Sequence, residues 1–136
     1  MALATEPVSP RLVLNESYGS DGALVRVELR HDDNAEGLVL AYEGKTCELD
    51  VAVVFAVFTK LGKEMDPGVS PNGSVLELGE GSRLCALRHL ARFDVIARDY
   101  VVLDRVGHPP VVELATSVSA ALVHLAEAAL RRAPHT

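Results

Sequence analysis

The sequence predicts an α+β domain: a duplicated ββββα unit, its antiparallel sheet packed by two long helices. Three observations carry this. First, an internal echo recurs about 65 residues downstream, a spacing typical of a repeated supersecondary unit. Val39-Leu40, Gly44, Glu48-Leu49, an apolar run and Pro67 are followed by Val102-Leu103, Gly107, Glu113-Leu114, a second apolar run and Pro134. Second, segments that alternate apolar and polar residues precede each run, as half-buried strands do. Third, both runs fit the 3.6-residue period of an amphipathic helix.

Residues 1–10 read as a loose tail holding Pro7 and Pro10. The remainder, 11–136, forms one domain of two repeats, 11–66 and 74–134, joined by the breaker-rich linker 67–73. Leu12-Val13-Leu14 opens the first repeat as a short strand. Beyond the turn Gly19–Gly22, Val25, Val27 and Leu29 alternate with Arg26, Glu28 and Arg30, giving a strand with one buried and one wet face. The polar stretch His31–Gly37 turns the chain into a strand over Leu38–Glu43, and Gly44-Lys45 bends it into a short fourth strand.

Valine alternation from Val51 is compatible with a strand, but the helical template covers more of the run. Val51, Val54, Phe55, Phe58, Leu61, Gly62 and Met65 share one face, predicting a helix over 51–65. Val53, Ala56, Val57 and Lys60 fall on its other side. In the second repeat, Val75–Leu78 and Arg83–Ala91 flank the turn Gly79–Ser82. Phe93, Val95 and Ala97 then alternate, Tyr100–Leu103 forms a strand, and Pro109-Pro110 ends it. The Ala-, Leu- and Glu-rich segment beyond predicts a helix over 114–131. Its apolar face is Leu114, Val118, Ala121, Leu122, Leu125 and Ala129.

A chain of 136 residues, 49% apolar, is large enough for a single core and does not have the composition of a disordered one. Its net charge of −6 is unevenly placed: residues 1–68 hold 6 basic and 12 acidic residues, residues 69–136 hold 7 of each. That balance works against nucleic-acid binding, which draws on phosphate neutralisation. The longest apolar run is far shorter than the roughly 20 residues needed to span a bilayer. The first residues lack the basic start and apolar stretch of a leader, so a cytoplasmic location is expected. Cys47 and Cys85 have no metal-like spacing and read as reduced thiols.

Four groups could carry chemistry. His31-Asp32-Asp33-Asn34 offers oxygens to a cation, but lacks the longer loop and closing carboxylate of a calcium site, and a turn uses the same residues. Leu29-Arg30-His31 recurs as Leu87-Arg88-His89, and His31 and His89 titrate in the right range for acid–base work. Neither has a nucleophile, metal set or glycine-rich phosphate cradle nearby in sequence. Cys47 precedes a helix, where a thiol pKa can fall, yet packing as a small hydrophobe accounts for both cysteines. Finally, Arg88, Arg92 and Arg98 occupy even positions of neighbouring strands. They form either an arginine face for an acidic ligand or a solvated face paired with Asp94, Asp99 and Asp104.

The order of elements over residues 11–132 resembles the plan shared by Whirly and PUR-type single-strand binders, and also that of SsgA-like division proteins. The nucleic-acid families would imply basic sheet faces with exposed aromatics for base stacking. This chain is acidic and has no Trp, three Phe and three Tyr, so no site residue is carried over. The expectation is therefore a small non-enzymatic regulatory or adaptor protein that binds another protein and itself as a homodimer. It needs no cofactor or metal, and Val53, Ala56, Val57 and Lys60 are its candidate interface. The alternative is a single-stranded nucleic-acid binder using the face of Arg88, Arg92 and Arg98.

Overall fold

Period-two alternation brings Leu12, Leu29, Leu40 and Cys47 into one cross-strand row. Four strands supply it: β1 (Arg11–Tyr18), β2 (Leu24–His31), β3 (Leu38–Tyr42) and β4 (Lys45–Leu49). They form an antiparallel meander in the order β1-β2-β3-β4. The computed structural model describes residues 11–31, 38–65, 74–88 and 98–132. The predicted tail 1–10, the linker 67–73, the strand over 93–97, Asp32–Asn34 and His89 lie outside these residues. A bulge between Val13 and Asn15 shifts the β1–β2 register, while Leu12 and Leu14 both stay buried. Tyr42 pairs with Lys45 across Glu43 and Gly44, both at positive φ, the two-residue hairpin turn that matches strand twist.

After α1 (Val51–Leu61) the chain makes β5 (Lys63–Glu64), then β6 (Val75–Gly79), β7 (Ser82–Arg88), β8 (Asp99–Asp104) and β9 (Val111–Leu114). These form a second antiparallel sheet in the order β5-β9-β8-β7-β6, and α2 (Ala115–Arg132) follows. Its inner row is Leu76, Leu84, Leu103 and Val111. Both rows belong to one continuous buried cluster that also takes Val54, Val57 and Phe58 from α1 and Ala115, Val118, Leu122 and Ala126 from α2. A smaller cluster of Met65, Cys85, Leu87 and Val102 occupies the opposite face of the second sheet.

The fold is α+β with two antiparallel sheets of four and five strands and two helices, but the helices are not both long. The predicted first helix, 51–65, stops at Leu61. Gly62 donates its N–H to the Phe58 carbonyl at 2.9 Å, and a Cβ at Gly62 would lie 2.2 Å from Val111 Cγ1. Chain direction changes where α1 meets β9. Met65 is buried as expected, but in the second sheet's outer cluster, its N–H bonded to the Pro110 carbonyl at 2.8 Å. The second helix starts at Ala115 because Leu114 is still paired with Tyr100 in the sheet.

Both helix faces are turned from the predicted phase. On α1 the buried stripe is Val54, Val57 and Phe58, whereas Phe55 is only half-buried. On α2 it is Ala115, Val118, Ser119, Leu122 and Ala126, leaving Leu125 and Ala129 exposed. The physical reason is shared packing. Each helix touches both the other helix and β9, so its buried face points between two neighbours.

Candidate functional site

The helices leave a shallow groove of about 480 Å³ lined by Ala56, Val57, Thr59 and Lys60 of α1 and Leu125 of α2. Three of the four predicted interface residues line it, and Val53 sits half-buried outside it. Val57 is a correction: it is 5% exposed and belongs to the core, because it faces α2. It forms the groove floor. Ala56 and Lys60 stand exposed on the rim, and Lys60 has no ion pair among the described residues. The Thr59 hydroxyl donates to the Phe55 carbonyl at 2.9 Å, so it is satisfied within the helix and asks nothing of a partner. Leu125, 38% exposed, completes the apolar lining. Helical phase assigns it to the core, and the exposed Ala56-x-x-Thr59-Lys60 side of α1 is the one clue in the sequence to a neighbouring groove.

A larger cavity of about 610 Å³ lies beside the edge strand β1, between Val13, Asn15 and Tyr18 on one side and Ala86, Leu87 and Asp99 on the other. Its lining mixes apolar side chains with amide, carboxylate and hydroxyl groups, without a nucleophile–base pair among them. The histidine proposed for acid–base work is structural here: His31 Nε2–H donates to the Glu77 carbonyl, tying β2 to β6.

Cys47 and Cys85 are free thiols. Burial pushes the thiol pKa of each upward, with Glu48 adding to the rise at Cys47. Cys47 thus lacks the activation that a reactive cysteine requires. Among the described residues, no group of three or more His, Cys, Asp or Glu could hold a metal ion, and no helix is long and apolar enough to cross a membrane.

The arginine face is only partly described. Arg88 ends β7, where its backbone pairs with Asp99; its side chain and all of Arg92 lie outside the described residues. Arg98 is exposed just before β8. The other sheet arginines with described ion pairs are committed to carboxylates: Arg26 to Glu16 at 3.3 Å, Arg30 to Glu28 at 3.5 Å and Arg83 to Asp104 at 3.1 Å. Comparison with known protein families, with curated proteins and with solved structures finds no match to this chain.

Proposed function

We propose that this is a non-enzymatic protein-binding module, regulatory or adaptor in role and cytoplasmic, that self-associates through the outer surface of its helices. The observation that carries this reading is the apolar groove at Ala56, Val57, Thr59, Lys60 and Leu125. Leu61 and Leu130 add exposed leucine on the same two helices. Apolar surface that the fold leaves uncovered is the kind a second chain buries with gain. A two-fold contact would bring the same patch from each copy together, with Lys60 at its rim.

Light scattering on the wild type, Ala56→Asp and Leu125→Asp tests this. The wild type should have a dimer mass, and both variants should be monomers with unchanged circular dichroism, since both positions are exposed. A monomeric wild type, or dimeric variants, removes the groove from the interface. An oligonucleotide titration against salt addresses the nucleic-acid alternative, because phosphate contacts weaken steeply as salt rises.

We also read the two halves as copies of one ββββα unit. Val39-Leu40 and Val102-Leu103 occupy like places on β3 and β8, with Leu40 and Leu103 in the inner rows and Val39 and Val102 buried on the opposite faces. In the same frame Leu29 corresponds to Leu84, since these pair with Leu40 and Leu103. The Leu-Arg-His triplets do not correspond: Leu29 lies in the main core and Leu87 in the outer cluster. Two fragments, 11–66 and 74–134, that associate when mixed would support a modular origin; fragments that never reassociate would count against it.

A further inference from the structure

We infer that Arg105 is a docking point for an acidic side chain of a partner polypeptide. This goes beyond self-association. It rests on the protein-binding reading, though not on the helical groove.

Arg105 leaves β8 and begins the loop to β9. Its guanidinium lies over the Phe55 ring, 5.3 Å from the centroid, and its Nε is closed off from solvent with no acceptor among the described residues. The preceding residue, Asp104, is the obvious local carboxylate, but β7 places Arg83 opposite it and that pair is already made at 3.1 Å. Arg26, Arg30 and Arg83 each hold a carboxylate among the described residues; the half-buried Arg105 holds none. Stacking on an aromatic face fixes the guanidinium plane and strips part of its hydration. With Nε closed off, a planar, pre-set, under-hydrated guanidinium offers its terminal N–H groups to a carboxylate, which accepts charge-assisted bonds there.

The surroundings favour a polypeptide over a free anion. His108 N–H bonds to the Arg105 carbonyl at 3.2 Å and Gly107 has φ +80, so a tight turn follows the arginine. Its apex, Val106, is 76% exposed, and its Cγ2 would lie 2.6 Å from a Cβ at Gly81 in the adjoining hairpin turn. The neighbouring turn thus steadies the valine while leaving most of it open. An exposed apolar apex next to a stacked arginine suits an acidic residue flanked by an apolar one; inorganic phosphate would use only the cation. Arginine on an aromatic base is also the residue type on which binding energy concentrates at interfaces.

The test uses the intact protein and a capped tetrapeptide with two glutamates between leucines, beside its glutamine counterpart and inorganic phosphate. The readout is the Arg105 Nε–Hε resonance. The glutamate peptide should shift it saturably, and added salt should weaken the effect. Arg105→Lys, followed by calorimetry, should bind about tenfold more weakly, having lost the fork but kept the charge. Arg105→Gln should not bind, with circular dichroism unchanged. No saturable shift, or an equal shift with the glutamine peptide, overturns the inference. An equal response to phosphate overturns the assignment to a polypeptide. Light scattering separates this from the groove. A wild-type dimer without peptide response sinks the docking point alone, and a peptide response in a wild-type monomer sinks the groove alone.

Discussion

In the first sheet the inner row runs Leu12, Leu29, Leu40 and Cys47; in the second it runs Leu76, Leu84, Leu103 and Val111. The inward faces are almost interchangeable, but what surrounds them differs. The second sheet gains a fifth strand from the end of α1 and buries apolar residues on both faces. The first sheet also buries Val39 on its outer face, but there it carries a buried glutamate, Glu28, between Val13 and Ala41 and linked to Arg30. The helices differ in the same sense. α2 spans 18 residues and shows Thr116, His124 and Arg131 to solvent, whereas α1 spans 11 and shows mainly Ala52, Ala56, Thr59 and Lys60. Burying one leucine row is a strong requirement met alike by both halves. Outward surfaces are free to diverge, and there the functional candidates lie.

The sharpest way to break this comparison is to charge α1 on its two sides. Val57→Asp places an unpaired carboxylate in the core and should cost roughly 4 kcal/mol or more, enough to unfold much of the protein. Ala56→Asp, one residue earlier and exposed, should lower the melting temperature only by what self-association contributes. Thermal melts followed by circular dichroism decide between them; equal melts would mean that Val57 is not a core residue.

Next in size are the leucine rows. Leu29→Ala and Leu84→Ala remove fully buried side chains from the inner rows of the two sheets and should each cost about 3 kcal/mol. Because both rows share one core, either change should lower a single cooperative urea transition. Two separate transitions would show the sheets to be independent units.

Gly62 tests the crossing that separates the halves. An added methyl there meets Val111 at 2.2 Å and the Phe58 carbonyl at 2.9 Å. Gly62→Ala should cost about 1–3 kcal/mol, although alanine is ordinarily the better residue beside a helix. Stabilisation in a urea titration would show that the contact relaxes freely.

These elements differ in how far they could be read from the letters. Strand β2 was legible because Val25, Val27 and Leu29 alternate with charged residues and admit one facing, and Gly44 and the pair Gly79–Gly81 marked the hairpins. The short β5 was not, since Lys63-Glu64 carries no apolar pattern; it exists because Gly62 lets the chain turn against β9. Helix faces were legible to within about one residue, as a helical wheel ranks hydrophobicity while burial depends on where two neighbours stand. The groove was found through Ala56 and Lys60 but not Leu125. Arg105 was invisible, because the register that gives Asp104 to Arg83 is what leaves it without a carboxylate among the described residues.

Tyr42 offers a smaller and pH-dependent contrast. Its hydroxyl is buried in the first sheet without a partner among the described residues, and burial, reinforced by Glu127, raises its pKa above the ordinary value of 10.0. A raised folded-state pKa means that the unfolded chain loses its proton first. The contribution is complete below pH 10 and is lost as pH climbs through the higher folded value. Tyr42→Phe should therefore flatten the loss of stability above pH 10. At neutral pH it should be neutral or stabilising by up to about 1 kcal/mol, since no hydrogen bond is given up. Destabilisation at pH 7 would reveal a partner for the hydroxyl.

The smallest effect lies in two hairpin turns of like backbone conformation, one in each sheet. Glu43-Gly44 joins β3 to β4 and Glu80-Gly81 joins β6 to β7, and all four residues have positive φ. Glycine adopts that region without strain, but glutamate pushes its Cβ toward the backbone carbonyl, and asparagine tolerates it better. Glu43→Asn and Glu80→Asn should each stabilise the protein by about 0.5 kcal/mol, within the range that turn optimisation commonly gives. The gains should add, because the turns belong to different sheets and each change is confined to a solvent-exposed loop. Urea midpoints for the single and double variants test this. A gain at one turn and a loss at the other would mean that a glutamate side chain has work of its own.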